Sequence, residues 1–181
     1  MQDETTRDSA STRQRRRPRL MRPPLEIERI LPLQRLDDVH FFGYRLGIAA
    51  KLFDRCVVKI LREEGAPVTL PQWRVVALLH LVESATVRSL AEGACVDRAE
   101  VSRAVRDLVA AGFVVRARNE HDLRSPLFSL TPSGAALYTT LEPPIRGFIR
   151  DLLQPSGKGD VEAAARMLWT IAERSLARLY S

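Results

Sequence analysis

Arg98, Ser102 and Arg106 stand four residues apart, with Arg103 beside them. On a helix that spacing stacks them on one face, while Val101, Val105 and Leu108 form an apolar stripe on another. Such a helix can enter the major groove of DNA, where Arg bonds the edge of guanine and the same residues reach phosphates. The plainer alternative is a solvated face, with Arg103 paired to Glu100 or Asp107. Further along, Asp122 and Arg124 lie two apart in a polar run, and their plain reading is a structural pair. Catalysis has no comparable footing. His40, His80 and His121 fall on separate elements without metal-ligand spacing, and the chain has no nucleophile elbow, phosphate loop or dinucleotide glycine pattern. Cys56 and Cys95 make neither a disulfide framework nor a zinc site, so buried, reduced thiols are expected. No metal or cofactor is expected, and the chemistry is that of a binder, not an enzyme.

The elements that must position these residues follow from periodicity and caps. From Asp37, apolar residues recur at three and four through Val39, Phe42, Leu46, Ala49, Phe53, Cys56 or Val57, and Ile60, which predicts one amphipathic helix ending before Gly65. Thr69 and Gln72 have capping-box spacing, with Pro71 in the first turn of a helix through Trp73, Val76, Leu79 and His80. Thr86 caps a short helix, Val87 to Ala94, with Leu90 and Ala91 inward. Asp97 and Glu100 open the next, whose stripe of Val101, Val105, Leu108 and Val109 runs to a stop at Gly112. Two helices joined by about three residues have the form of a helix-turn-helix. Phe113–Val115 and Leu127–Leu130 then read as strands around a polar tip, a hairpin. A helical pattern resumes after Gly134, with Pro143-Pro144 expected to kink or break it. A last helix is predicted from about Asp160 to Leu179, its face formed by Val161, Ala165, Leu168, Ala172, Leu176 and Leu179.

The 181 residues, 45% hydrophobic and 28% charged, suit one globular domain with appendages. No apolar run approaches the roughly 20 residues of a membrane span, and the polar leader has no export signal, so a cytoplasmic location without membrane contact is the expectation. Of the formal charge of +6, much lies in the first 25 residues, where seven Arg face three acids. Residues 1–32 are expected to be a basic, disordered arm, and such arms accompany nucleic acids or acidic surfaces. The domain proper is placed at residues 33–181.

Thr69-Leu70-Pro71-Gln72-Trp73-Arg74-Val75-Val76, then Val87-Arg88-Ser89-Leu90-Ala91, then Val101-Ser102-Arg103-Ala104-Val105-Arg106-Asp107-Leu108 with Gly112, resemble the helix-turn-helix half of MarR-type transcriptional regulators. The hairpin is similar to that family's wing, through Asp122-x-Arg124 followed by Leu130-Thr131-x-x-Gly134. Leu123 departs from relatives that have a second wing Arg. The resemblance covers roughly residues 36–180 and implies a mainly α fold with a small β-hairpin wing: a winged helix-turn-helix at about 69–131 and dimerisation helices at about 37–64 and 132–180.

The resemblance further implies a homodimer that binds double-stranded DNA as a repressor. Its reading residues would be Arg98, Ser102, Arg103 and Arg106 on the helix and Asp122 and Arg124 on the wing, with Arg124 in a minor groove. A two-fold dimer implies a pseudo-palindrome with half-sites roughly 10 bp apart. The excess apolar surface of the first and last helices argues independently for a partner. The family also implies an effector between the dimer helices and the DNA-binding part, expected here to be a small aromatic acid or its thioester. His40, Tyr44, Arg45, Trp73 and His80 are the candidates, each more readily read as a packing residue. In the hydroperoxide-sensing branch a reactive cysteine lies near the start of the first helix, where this chain has Phe41. That argues against redox sensing and leaves Cys95 as the thiol to test. A winged-helix protein-interaction module that never binds DNA stays open, because residues 97–124 carry six Arg against five acids.

Overall fold

The computed structural model describes residues 39–179 and 181, apart from His121 and Leu123, with side chains described from Phe42 onward. Asp37, the expected first cap, and the arm at 1–32 lie outside the described residues. The chain divides into two units, Met1–Gly47 and Ile48–Ser181. In chain order the described elements are α1 (Val39–Glu63), α2 (Leu70–Val82), β1 (Ser84–Ala85), α3 (Val87–Ala94), α4 (Arg98–Ala110), β2 (Val114–Ala117), β3 (Leu127–Leu130), α5 (Pro132–Leu153) and α6 (Lys158–Leu179). The architecture is mainly helical, with one small antiparallel sheet in the order β1-β3-β2.

The helix starts follow from local chemistry. The Thr69 N–H donates to Gln72 Oε1 at 2.8 Å at the head of α2, and the Ser89 N–H donates to Thr86 Oγ1 at 3.1 Å at the head of α3. Asp97 Oδ1 accepts from the N–H groups of Ala99 at 2.7 Å and Glu100 at 3.3 Å at the head of α4. Each such cap is worth about 1 kcal/mol. The larger contribution is burial. Leu79 of α2, Leu90 of α3, Leu108 of α4 and Leu141 of α5 are fully buried in one cluster with Val57, Leu61, Val76 and Val105, each large side chain contributing roughly 2 kcal/mol. The same cluster holds Phe128 of β3 and Val114 of β2, so the hairpin is rooted in the core that fixes α4.

Several expectations need correction. Val109 is 37% exposed and leaves the α4 stripe, its place taken by the buried Ala104. Pro143 and Pro144 do not break α5, which runs unbroken through both. Their missing N–H groups release the carbonyls of Thr139 and Thr140, residues on the exposed side. Buried Leu141 and Ile145 hold the helix to the core on the other. The second strand spans Val114–Ala117, one residue later in start and longer than expected, and the two-residue strand β1, pairing Ser84 with Ser129 and Ala85 with Phe128, was not foreseen. Both cysteines are exposed, not buried. His80, which reads more readily as a packed histidine than as a ligand contact, is exposed as well.

The wing joins α5 at a tight junction. α4 ends in a Schellman-type turn, with Gly112 at φ +76°, its N–H on Val109 O at 3.0 Å and the Phe113 N–H on Leu108 O at 3.0 Å. Thr131, the N-cap of α5, donates its hydroxyl to Gly112 O at 2.7 Å and accepts the Gly134 N–H at 3.1 Å. A Cβ on Gly134 would lie 2.1 Å from Phe113 O, so only glycine fits. This contact gives the Leu130-Thr131-x-x-Gly134 spacing its physical meaning.

Candidate nucleic-acid interface

Between the outward side of α4, the start of α3 and the hairpin lies a groove of about 300 Å³. Arg88, Arg98, Ser102, Arg116 and Arg124 line it, together with Thr86, Val87, Ser125, Pro126 and Phe128. Its lining has four guanidinium groups and no carboxylate. Arg88 is bound to Glu92 at 2.8 Å. Among the described residues no carboxylate pairs with Arg98, Arg116 or Arg124. Three exposed cations facing one groove repel one another, and a polyanion lying along it relieves that repulsion.

Each residue owes its place to the elements beneath it. Asp97 caps α4 and so points Arg98 and Ser102, one turn apart, along the same side. Arg106 continues the row one turn beyond the groove, where it lies 3.4 Å from Asp107. Arg103 is exposed on the same helix without lining the groove. Arg116 shares its side of β2 with the buried Val114, but it stands further out along the hairpin, opposite Phe128.

The wing tip is ordered by backbone contacts. Asp122 Oδ1 accepts the Arg124 N–H at 3.0 Å, and the Ser125 N–H donates to Asp122 O at 3.1 Å. Asn119 Nδ2 donates to Ser125 O at 3.0 Å. The Ser125 hydroxyl, then the Arg124 N–H, hold the Asp122 carboxyl below its ordinary pKa. A depressed folded pKa means this support is full above the ordinary carboxylate range and is lost as pH falls through the lowered value. Asp122 therefore engages the Arg124 backbone, not its guanidinium, which lines the groove. His121 and Leu123 lie outside the described residues.

The effector candidates are brought together only in part. Trp73 is buried and stacks on Tyr138, ring centroids 5.6 Å apart, while His80 stacks on the same ring at 3.7 Å. Trp73 and Tyr138 also line a second groove, of about 370 Å³, with Phe53, Arg74 and Arg146. Its cations are held locally, Arg74 by Asp54 at 2.6 Å and Arg146 by Glu142. Tyr44 is exposed and Arg45 half-buried in the N-terminal unit. The side chain of His40 lies outside the described residues. Among the described residues no group of three His, Cys, Asp or Glu can hold a metal ion, and no helix is long and apolar enough to cross a membrane.

Sequence reasoning missed Arg88, Arg116 and Tyr138. Continuing β2 one residue past Val115 finds Arg116, which alternation puts on the side of Val114. Arg88 follows from asking what the outer face of α3 presents. Tyr138 had no signal, since its partners are set by packing alone.

Comparison with known proteins bears on the family and the fold. The MarR family profile matches residues 68–125. The organic hydroperoxide resistance transcriptional regulator of Bacillus subtilis (strain 168) is 32% identical over 106 residues, covering 59% of this chain and 71% of that protein. A mutant MarR from E. coli complexed with operator DNA superposes with a TM-score of 0.64 at 22% identity, over 80% of this chain and 96% of its own. A MarR transcriptional regulator from Methanosarcina mazei Go1 gives 0.67 at 20%, over 76% and 98%. NadR in complex with 4-hydroxyphenylacetate gives 0.64 at 24%, over 71% and 90%. These structures share the fold.

Proposed function

The chain belongs to the MarR family of transcriptional regulators, and from that premise we propose that it is a homodimeric repressor that reads a pseudo-palindromic operator and is released by a small aromatic or anionic effector. The observation that carries the DNA reading is the groove whose lining holds Arg88, Arg98, Arg116 and Arg124 without a carboxylate. In this reading Arg98 and Ser102 lie in a major groove, Arg103 and Arg106 meet flanking phosphates and base edges, and Arg124, oriented by Asp122, enters the adjacent minor groove. The structurally similar E. coli protein is solved on operator DNA. The seven Arg of the first 25 residues add phosphate contacts without sequence information. Selection from random-sequence duplexes tests the reading. A pseudo-palindrome with half-sites roughly 10 bp apart is expected. Recovery of unrelated sequences favours the protein-interaction module instead.

The homodimer is supported by α6, which has no buried residue. Leu168, Trp169, Leu176 and Leu179 are 50%, 67%, 41% and 75% exposed, an apolar face that a second copy would cover. Leu168→Glu is expected to leave the fold of each protomer intact, because the site is open in one chain, and to weaken the dimer by roughly 3 kcal/mol through a buried, unpaired charge. Sedimentation over a concentration series checks this. A variant that dimerises as tightly as wild type would place the interface elsewhere.

For the effector, the groove beside Trp73 and Tyr138 offers an aromatic wall, and an aromatic acid or its thioester would take Arg74 or Arg146 over from Asp54 or Glu142, the carboxylates that hold them in the same groove. The similar fold of NadR is solved with 4-hydroxyphenylacetate. His80 stacks on the same Tyr138 ring, and His40, Tyr44 and Arg45 of the N-terminal unit stay effector candidates by residue type alone. The Bacillus subtilis relative is named for organic hydroperoxides. Sensing of that kind is not carried across, because Phe41 stands where the reactive cysteine of that branch is expected.

A further inference from the structure

One side chain ties the reading helix to the long helix that follows the wing. Two carbonyls lie just past the end of α4, those of Gly112 and Phe113, and Thr131 takes both. Its hydroxyl donates to Gly112 O at 2.7 Å and its backbone N–H donates to Phe113 O at 3.0 Å. The same hydroxyl oxygen accepts the Gly134 N–H at 3.1 Å, capping α5. Gly134 is pressed so closely on Phe113 O that the junction has no slack there. A group that donates and accepts through one small atom is therefore needed at position 131, and a hydroxyl is that group.

The lever is long enough to matter. α4 has 13 residues, which at the rise of a helix is about 20 Å. Turning it by about 10° at the Thr131 end moves Arg98, at the other end, by roughly 3 Å, close to one base-pair step. Resting on the DNA-reading function above, we propose that Thr131 is a positioning residue that sets the pitch of α4 on α5, and with it the half-site spacing the dimer accepts.

Two variants separate this role from simple capping. Thr131→Ser keeps donor and acceptor. In Thr131→Asp the carboxylate still accepts the Gly134 N–H and suits a helix N-terminus, but it has no proton for Gly112 O. The full chain is titrated with the duplex that wild type selects from random DNA, with versions carrying one base pair more or fewer between the half-sites, and with a single half-site. Wild type and Thr131→Ser should reject the respaced duplexes by about tenfold, within the range set by one poor base-pair contact. Thr131→Asp should lower that discrimination to within about twofold while keeping its melting temperature and half-site affinity near wild type. Should Thr131→Asp fail to fold, Thr131→Gly against Thr131→Ser takes its place, since glycine removes the hydroxyl at little capping cost. Discrimination retained without the hydroxyl overturns the proposal, as does an equal loss on all duplexes and the half-site. If wild type selects no duplex, the DNA reading fails first and takes this inference with it.

Discussion

Gly134→Ala is expected to destabilise the folded chain by about 3 kcal/mol, the upper part of the range for forcing atoms into a packed site. The added Cβ would meet the carbonyl oxygen of Phe113 at 2.1 Å and its carbon at 3.1 Å. Both are backbone atoms at the exit of α4, so no side chain can swing aside. Moving that carbonyl breaks its 3.0 Å bond from the Thr131 N–H and loosens the Thr131–Gly112 tie. Urea unfolding measures the loss. A change within about 0.5 kcal/mol, the ordinary range for a surface substitution, would show that the junction yields more easily than its geometry implies.

Much of this junction was legible as spacing before it was legible as contact. Thr86, Asp97 and Gly112 mark the limits of α3 and α4 because caps and stops act over three or four residues, within reach of sequence reasoning. Leu130-Thr131-x-x-Gly134 could be recognised as a signature, but the reason for it, a carbonyl pressed on a missing Cβ, lies 21 positions away in Phe113. The prolines of α5 mislead for the same reason. A local rule foretells a break, and the packing of Leu141 and Ile145 overrides it. β1 has only two residues, too few for a period, and its pairing partner is over forty residues distant.

The proposed site was legible to the same degree. Arg98, Ser102 and Arg124 were found by spacing and resemblance, and the fold brings them to one groove. Arg88 and Arg116 were not, since each sits on an element read only for its inward residues. The effector set fared least well. Spacing suggested a cluster of five residues, whereas the described contacts join Trp73 and His80 through Tyr138, a residue no pattern singled out.

The second large effect concerns the groove. Arg98 and Arg124 are exposed, and among the described residues neither has a carboxylate partner, so truncating both should leave the melting temperature unchanged. Each groove contact is worth about 1 to 3 kcal/mol. Arg98→Ala/Arg124→Ala should therefore bind at least about thirtyfold more weakly for each half-site of the selected duplex at physiological salt.

The most direct measurement is the salt dependence of that affinity, wild type against the double variant. If the arginine-lined groove grips the duplex, the slope of log K against log salt falls by about two for each half-site, nearly four for the dimer on its full site, alongside the loss of affinity. Equal slopes and equal affinities in a variant that remains folded would contradict the account, because the duplex would then be held by another face of the protein.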